Sequence, residues 1–173
     1  SINYKKNLIK KNIKSKSSKK FNINFIEEKK FLGTAGSLYL VKNKKFEHFL
    51  VMNCDVFTNL DLNSFIDYYS NKNYDVLIGA SIIKYTVPYG VINDNGGRFI
   101  NIDEKPDKSF KVSSGIYIFK KDVLSLIKPN VYLDMPDFLL KIAKKKIKIG
   151  IFPIYEKWLD VGTPKSFLEG KKF

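Results

Sequence analysis

Apolar residues fall along this chain in two spacings, the unbroken or alternating runs of β-strands and the wider spacing of amphipathic helices. The run from Phe49 to Met52 has no polar break and ends in Asn53, Cys54 and Asp55. A strand with one face in water would alternate instead. The unbroken run therefore predicts a strand at 49–55 that is buried on both faces, as in the middle of a parallel sheet.

The same spacings divide the rest of the chain into elements. An Asn95-Gly96-Gly97 turn between two short apolar segments predicts a β-hairpin within 87–106. Other alternating or β-branched runs predict strands at 21–26, 74–84, 112–119 and 147–154. Helical spacing predicts helices at 1–14, 31–43, 59–71, 120–127 and 134–142 and from Thr163 or Pro164, with a polar loop at 11–20. Strands that alternate with helices are typical of the α/β class.

Asp55 lies at the carboxyl end of the predicted buried strand. In open α/β sheets, ligands bind just beyond the carboxyl ends of the strands, so a functional carboxylate would lie here. A carboxylate at this place also caps a loop that enters the next helix. Position alone leaves both interpretations open.

A turn of small residues, Gly33 to Gly36, opens the helix predicted at 31–43. Thr34 suits its N-cap position. Small residues at a helix start let a ligand approach the backbone N–H groups and the positive end of the helix dipole. An ordinary glycine turn into a helix has the same sequence, so this motif alone does not decide the matter.

Two further stretches carry candidate chemistry. Lys105 precedes Pro106, which predicts an extended backbone at Lys105. Glu104 then points the opposite way, or both side chains project from an irregular strand end into a cleft; a surface ion pair is the alternative. Gly115 interrupts the strand predicted at 112–119, which indicates a bulge or the close approach of a ligand.

The net charge of +14 over 173 residues first suggests a polyanion ligand. Arg98 is the only arginine, however, and arginine is the preferred reader of phosphates and guanine edges. We therefore expect no specific nucleic acid partner, while a small phosphorylated substrate would benefit from the positive field. Cys54 is the only cysteine and the apolar runs are too short to span a membrane, so the sequence predicts a cytoplasmic protein.

Six short motifs follow one another in the order LGTAGSL, NCD, PYGVI, EKP, SSGIYIF and WLDVGTP. In this order and with these gaps, the chain resembles the sugar-1-phosphate nucleotidyltransferases over nearly all of its length. The Pro88-Tyr89-Gly90 turn and the Asp134-Met135-Pro136 helix start make it most similar to mannose-1-phosphate guanylyltransferases and related guanylyltransferases of bacterial surface-sugar pathways. The resemblance implies a Rossmann-like three-layer α/β sandwich with a mostly parallel central sheet and a small β insertion, in one domain over 1–173.

The resemblance also implies a reaction, in which a nucleotidyl group passes from an NTP, with GTP favoured, to a sugar 1-phosphate and pyrophosphate is released. Mg²⁺ would be the cofactor, held by Asp55 and Asp160, and these two with Lys105 would be the catalytic residues. The implied nucleotide site consists of Gly33, Thr34 and Asp55. The implied sugar-phosphate site consists of Tyr89, Gly90, Glu104, Lys105, Ser114 and Gly115.

The chain departs from the family at three places. The family opens with a strand and a signature, Gly-x-Gly-Thr-Arg followed by Pro-Lys, which this sequence does not contain. We therefore expect a sheet that lacks its first strand or strands, and an N-terminal part supplied by a preceding segment or by another chain, as in a homo-oligomer. Cys54 replaces the usual glycine before Asp55, and Ser113 and Ser114 replace an asparagine and a small residue.

Three functions follow from this sequence. The first is the nucleotidyltransferase, for surface polysaccharide or glycan biosynthesis. The second is a catalytically inactive relative that binds a nucleotide or a partner, which the absent signature motivates. The third is a basic domain that binds polyanions, which the charge motivates.

Overall fold

The structure is a computed structural model that describes residues 1–16 and 22–173. The chain forms two compact units. The first unit comprises Ser1–Phe49 and Lys120–Lys148, and the second comprises Leu50–Phe119 and Ile149–Phe173. The assignment of the whole chain to one domain stays a prediction. Among the described residues, we find no helix with the length and apolar character that a membrane span requires.

Helices occur in both units. The α-helices are α1 (Lys6–Lys16), α2 (Gly33–Gly36), α3 (Leu62–Lys72), α4 (Met135–Ala143) and α5 (Pro164–Gly170). Two 3₁₀ helices cover Ser37–Val41 and Lys121–Leu126. The polar loop predicted at 11–20 is wrong as far as Lys16, because α1 continues to that residue. Residues 17–20 of that prediction lie outside the described residues.

The strands are β1 (His48–Met52), β2 (Val56–Thr58), β3 (Val76–Thr86), β4 (Val91–Asn95), β5 (Arg98–Asp103), β6 (Asp107–Lys120), β7 (Ile149–Ile154) and β8 (Trp158–Asp160). The central sheet has the order β1-β6-β3-β7, while β2 pairs with β8 and β4 with β5. We expected a mostly parallel sheet. The α/β class is confirmed, and the sheet is mixed, because β7 runs parallel to β3 and β6 antiparallel to it.

The apolar run at 49–55 forms a different strand from the one predicted. β1 ends at Met52 and lies at the edge of the sheet order, and Leu50 and Met52 are 38% and 40% exposed. The prediction of a strand buried on both faces is therefore wrong. An unbroken apolar run indicates a strand, but its place in the sheet and the side chains that pack on its two faces decide its burial. The strand predicted at 21–26 is likewise absent from 22–26, and only an isolated bridge between Ile2 and Glu27 follows it.

The predicted hairpin is confirmed. β4 and β5 pair antiparallel around Gly96 and Gly97, whose φ angles are +59° and +84°. Positive φ at both central residues is what a two-residue type I′ turn requires, and glycine adopts it without a steric penalty.

The core of the second unit lies between α3 and the central sheet. Asp61 caps α3 by accepting hydrogen bonds from the N–H groups of Asn63 and Ser64. Phe65, fully buried on α3, meets Phe152 of β7 edge to face with the ring centroids 5.3 Å apart. The same core takes in Leu60, Tyr69, Leu77, Ile116, Ile118 and Ile154. β3, β6 and β7 therefore form a packed scaffold for the segments that follow.

Candidate active site

The pairing of β2 with β8 brings two distant parts of the chain together. Val56 pairs with Asp160, and the Val161 N–H donates a 2.8 Å hydrogen bond to the carbonyl oxygen of Asp55. Asp55 directly precedes Val56, so the ladder places Asp55 and Asp160 at the same end of this two-stranded sheet. Residues more than a hundred positions apart thus become neighbours through backbone hydrogen bonds.

Both carboxylates point toward Gly162. The Gly162 N–H donates a 2.8 Å hydrogen bond to Asp160 Oδ1. A methyl group placed on the Gly162 α-carbon would lie 2.9 Å from Asp160 Oδ1 and 3.3 Å from Asp55 Oδ2. The two carboxylates therefore converge on one point, with Asp55 half-buried and Asp160 exposed.

This donor set suits a hard divalent cation. Mg²⁺ takes oxygen ligands, binds through one or two carboxylates and keeps water and substrate phosphates in its remaining positions. Among the described residues, no group of three or more His, Cys, Asp or Glu side chains is placed to hold a metal. A pair of carboxylates open to solvent is thus compatible with a metal shared with a phosphorylated substrate, and not with a closed structural site.

The bulge predicted at Gly115 is confirmed. The β3–β6 register shifts between Ile78 and Ala80, and Gly115 has a φ of +76°. An ideal Cβ on Gly115 would lie 2.9 Å from Asn53 Cγ, and the Asn53 N–H donates a 2.9 Å hydrogen bond to the Gly115 carbonyl. Glycine is required here because Asn53 packs against its α-carbon; its predicted contact with a sugar stays a prediction.

Ser114 lies inside this bulge. It is fully buried, and its hydroxyl donates a 2.8 Å hydrogen bond to the Gly79 carbonyl. Its carbonyl accepts a 2.9 Å hydrogen bond from the indole nitrogen of Trp158. The predicted sugar-pocket role of Ser114 therefore stays a prediction, and its present contacts are with the protein itself.

The other predicted sugar-side residues flank the β4–β5 hairpin, namely Tyr89, Gly90, Glu104 and Lys105. An ideal Cβ on Gly90 would lie 3.1 Å from Glu104 Oε2, so the glycine allows the carboxylate to approach the backbone. Tyr89 is 74% exposed. Lys105 Nζ lies 4.0 Å from Glu104 Oε1, and both side chains are largely in solvent, so this ion pair contributes little to stability.

Lys105 has a backbone conformation that the sequence did not predict. Its φ is +46°, so the expectation of an extended residue before Pro106 is wrong. Left-handed φ is disfavoured for a residue with a side chain, and such outliers gather at functional sites. The turn that returns the chain from β5 to β6 imposes this conformation, with the Val87 N–H bound to the Pro106 carbonyl at 3.0 Å.

Gly33 and Thr34 belong to the first unit, where Thr34 is not the N-cap that the sequence predicted. The N-cap position of α2 is Leu32. The Thr34 N–H donates a 3.1 Å hydrogen bond to Asp134 Oδ1, and the Met135 N–H donates a 2.7 Å bond to Thr34 Oγ1. Thr34 and Asp134 thus each bind the first turn of the other's helix, and the hydrogen bonds from Tyr132 and Thr34 hold the pKa of Asp134 below its ordinary value.

The N–H groups of the Gly33 turn already have partners. Those of Ala35 and Gly36 donate to the Leu133 carbonyl at 2.9 and 3.0 Å. A helix start whose N–H groups already donate to the protein binds an anionic ligand less well than a helix start whose N–H groups have no partner. A role for Gly33 and Thr34 in nucleotide binding stays a prediction, and it would act through shape and not through these N–H groups.

A sequence profile of the nucleotidyl transferase family matches residues 1–173. The chain belongs to the nucleotidyl transferase family. The predicted family is therefore confirmed over the full length of the sequence.

The curated relatives that the chain matches include mannose-1-phosphate guanylyltransferases. Mannose-1-phosphate guanylyltransferase catalytic subunit beta of Drosophila melanogaster is 28% identical over 176 residues, which cover 98% of this chain and 47% of the relative. Mannose-1-phosphate guanyltransferase of Yarrowia lipolytica is 29% identical over 180 residues, with 98% and 48% covered. The chain spans about half the length of the curated relatives that it matches.

Solved structures confirm the fold. HddC from Yersinia pseudotuberculosis, complexed with GMP-PN, has a TM-score of 0.75 at 22% identity, covering 99% of this chain and 76% of that one. A glucose-1-phosphate thymidylyltransferase from Bacillus anthracis, described as putative, has a TM-score of 0.63 at 22% identity, with 86% and 63% covered. At this identity the likeness shows that the chain shares their α/β fold, and no more.

The sequence interpretation missed two residues near the candidate site. Asn53 and Trp158 each lie two positions before a carboxylate, and each donates a hydrogen bond to the β6 bulge. Both were visible inside the NCD and WLDVGTP motifs, but nothing in the sequence assigns a bond to them. The signal that could have found them is the bulge itself, since a glycine kink in a central strand needs segments that pack against it.

Replacing Gly33 with alanine should destabilise the protein by about 2 kcal/mol, since left-handed φ penalises a Cβ. Gly33 has a φ of +77°, and its Cβ would lie 2.6 Å from the Leu133 carbonyl oxygen, a backbone atom that cannot rotate away. In urea unfolding, the variant should have a lower midpoint concentration of urea and an unchanged m-value. Gly96→Ala, with a φ of +59° and nothing within 4 Å of its Cβ, is the control and should cost less. Equal losses in the two variants would contradict the packing argument.

Proposed function

We propose that this chain contributes the metal-binding and sugar-phosphate sides of an enzyme that transfers a nucleotidyl group from an NTP, with GTP favoured, to a sugar 1-phosphate. The observation that carries the proposal is the convergence of Asp55 and Asp160 over Gly162. The relatives named mannose-1-phosphate guanylyltransferases support the choice of GTP and of a hexose 1-phosphate. A role in surface polysaccharide synthesis and a cytoplasmic location are parts of the same proposal.

The reaction joins two anions. An oxygen of the sugar 1-phosphate attacks the α-phosphorus of the NTP, the bond between the α- and β-phosphates breaks, and pyrophosphate leaves. The attacking oxygen is already ionised, so no general base is needed. The protein must therefore screen charge and align the reactants, which are the main requirements of phosphoryl-type transfer.

Asp55 and Asp160 would hold Mg²⁺ with their converging oxygens. When bound there, the ion would neutralise charge on the phosphates of the nucleotide. The carboxylates themselves need no movement to do this, because the β2–β8 ladder already sets their backbones side by side. Exposure of Asp160 leaves room for phosphate oxygens in the remaining positions of the metal.

The sugar phosphate would lie along the hairpin side. Glu104, which stands beside Gly90, offers a carboxylate to sugar hydroxyls, and Lys105 offers a positive charge to the phosphate. Tyr89 would cover the sugar ring from the turn before β4. Lys105 also has a left-handed φ of +46°, and strained backbone conformations of this kind gather at functional sites.

Replacing Lys105 with glutamine should raise the KM for sugar 1-phosphate about tenfold, since a hydrogen bond to a charged group contributes roughly 1.5–3 kcal/mol. The KM for the NTP should change far less. Steady-state assays of pyrophosphate release, with each substrate varied in turn, separate the two values. Lys108→Gln removes an equal charge from an exposed lysine on β6 and should leave both KM values unchanged. A larger rise in the KM for the NTP than for the sugar phosphate would contradict the assignment.

The proposed function itself is tested by assaying the purified protein, together with any preceding segment or partner chain, for pyrophosphate release. GTP, ATP, CTP, UTP and dTTP are each combined with mannose, glucose and galactose 1-phosphates in the presence of Mg²⁺. Turnover with GTP and one sugar 1-phosphate is the expected result. Nucleotide binding without turnover for any pair would instead identify an inactive relative, and salt-sensitive binding to unrelated nucleic acids would favour a polyanion-binding domain.

A further inference from the structure

The two carboxylate-bearing segments of the second unit are attached to one short piece of β6. The Asn53 N–H donates to the Gly115 carbonyl at 2.9 Å, and the Trp158 indole N–H donates to the Ser114 carbonyl at 2.9 Å. Asn53 lies two residues before Asp55, and Trp158 lies two residues before Asp160. Two consecutive carbonyl groups of β6 thus bind the two segments that carry Asp55 and Asp160, one segment each.

The bulge makes this double attachment possible. A bulge disrupts the regular ladder and re-aims the groups of its strand, and here Gly115 supplies the left-handed residue at a φ of +76°. The bulge is itself fixed, because the buried Ser114 hydroxyl donates to the Gly79 carbonyl at 2.8 Å. Ser114 and the neighbouring Ile116 are fully buried, so the attachment point belongs to the packed core.

Trp158 can transmit this fixed position to Asp160. β8 begins at Trp158 and ends at Asp160, and residues two apart in a strand point to the same face. An indole held through its N–H therefore orients the face that carries the Asp160 carboxylate. Asp160 lies opposite Val56 in the ladder, so a displacement of β8 would move it relative to Asp55.

We propose that Trp158 is a positioning residue, whose indole N–H, bound to the Ser114 carbonyl, fixes the separation of the Asp55 and Asp160 carboxylates for a divalent cation. The inference rests on the proposed function, because it assumes that these carboxylates bind a metal. It adds a residue that touches neither metal nor substrate. Groups that orient metal ligands in this way typically contribute 10–100-fold in metal affinity.

The test measures Mn²⁺ binding directly, by the loss of the free Mn²⁺ signal in electron paramagnetic resonance titrations. Trp158→Phe keeps an aromatic ring and removes the N–H donor, and its Kd for Mn²⁺ should rise about tenfold. Saturating metal should then restore most of kcat. Thr86→Val is the control, since it removes a hydrogen bond from Thr86 Oγ1 to Asp107 Oδ1 at the far end of the same β3–β6 ladder. Its Kd should equal that of the wild type.

The outcomes separate this inference from the proposed function. A wild-type protein that binds no Mn²⁺, or that binds it equally well with Asp160→Asn, overturns the metal site and the inference with it. Wild-type binding that Trp158→Phe leaves within twofold overturns the inference alone. A tenfold loss in Trp158→Phe with the control unchanged supports it, because a purely structural role would lower the melting temperature without changing the Kd of the folded protein.

A second readout needs no variant. Trp158 is the only tryptophan, so one indole resonance appears in the ¹H–¹⁵N spectrum of the protein. We expect its N–H to exchange slowly with solvent. Its resonance should shift as Mg²⁺ is added, and the midpoint of that shift should equal the Kd of the carboxylate pair for Mg²⁺. A rapidly exchanging indole that does not respond to metal would overturn the proposal even if Trp158→Phe fails to fold.

Discussion

Replacing Asp55 or Asp160 with asparagine should lower kcat/KM about 10³-fold, because each change removes an anionic ligand of the proposed metal, and metal stabilisation of the transition state is worth several kcal/mol. Asparagine keeps the size of the side chain and an oxygen. The loss therefore reports charge and not packing. Rates of pyrophosphate release, measured over a range of Mg²⁺ concentrations, give the result.

Stability provides an independent check of the same pair. Two carboxylates that converge on one point repel each other when no cation lies between them. Without metal, each asparagine variant should melt at or above the wild-type temperature. At an Mn²⁺ concentration of about 100 times its Kd, the wild type should gain roughly 2.7 kcal/mol, which the variants should lose.

Asp67→Asn is the matched control for both measurements. Asp67 is an exposed carboxylate on α3, so the variant makes the same charge change elsewhere on the second unit. Its activity and its stabilisation by Mn²⁺ should equal those of the wild type. Normal turnover in a protein that carries both Asp55→Asn and Asp160→Asn would exclude the metal assignment.

Local chemistry made the elements of this fold predictable. The glycine pair at 96–97, the β-branched run of β3 and the helix start at Asp134 and Pro136 are each specified by residues adjacent in sequence. The bulge at Gly115 was predictable for the same reason, since a glycine weakens a strand interior and often marks a bulge there. Order along the chain then identified the family.

Long-range pairing was not predictable in the same way. The residues of β1 do not specify that this strand lies at the edge of the sheet. The residues around Thr34 also do not specify that its hydroxyl caps the helix that begins at Met135 and not its own helix. The left-handed φ of Lys105 likewise depends on how β5 returns to β6, against the ordinary preference of a residue before proline. These properties arise from partners far away in sequence, which a pattern of hydrophobic residues does not specify.

The proposed site combines both kinds of information. Asp55 and Asp160 were identified from motifs, but their convergence depends on a ladder between β2 and β8 and on a bulge in β6. The residues that create the ladder and the bulge contacts, such as Asn53 and Trp158, carry no catalytic chemistry of their own. Sequence therefore indicates candidate metal ligands more readily than it indicates the residues that hold them in place.

Gly162→Ala should separate activity from stability. The added methyl would lie 2.9 Å from Asp160 Oδ1 and 3.3 Å from Asp55 Oδ2. A contact of 2.9 Å with the end of a side chain is relieved when the carboxylate rotates away, which costs little folding free energy. The rotated carboxylate no longer converges with its partner, and a displacement of about 1 Å at a reacting site can lower the rate about 10²-fold.

The opposite behaviour is expected of Gly97→Ala, which makes the comparison decisive. Gly97 has a φ of +84° and nothing within 4 Å of its Cβ, so alanine should cost about 1 kcal/mol of stability through backbone strain alone. Its kcat and its affinity for Mn²⁺ should be unchanged. Urea unfolding compares the stability of the two variants, Mn²⁺ titration compares their metal affinity, and rates of pyrophosphate release compare their activity. If Gly162→Ala kept full activity, the two carboxylates would not act as a pair, because a methyl group between them would then have no consequence.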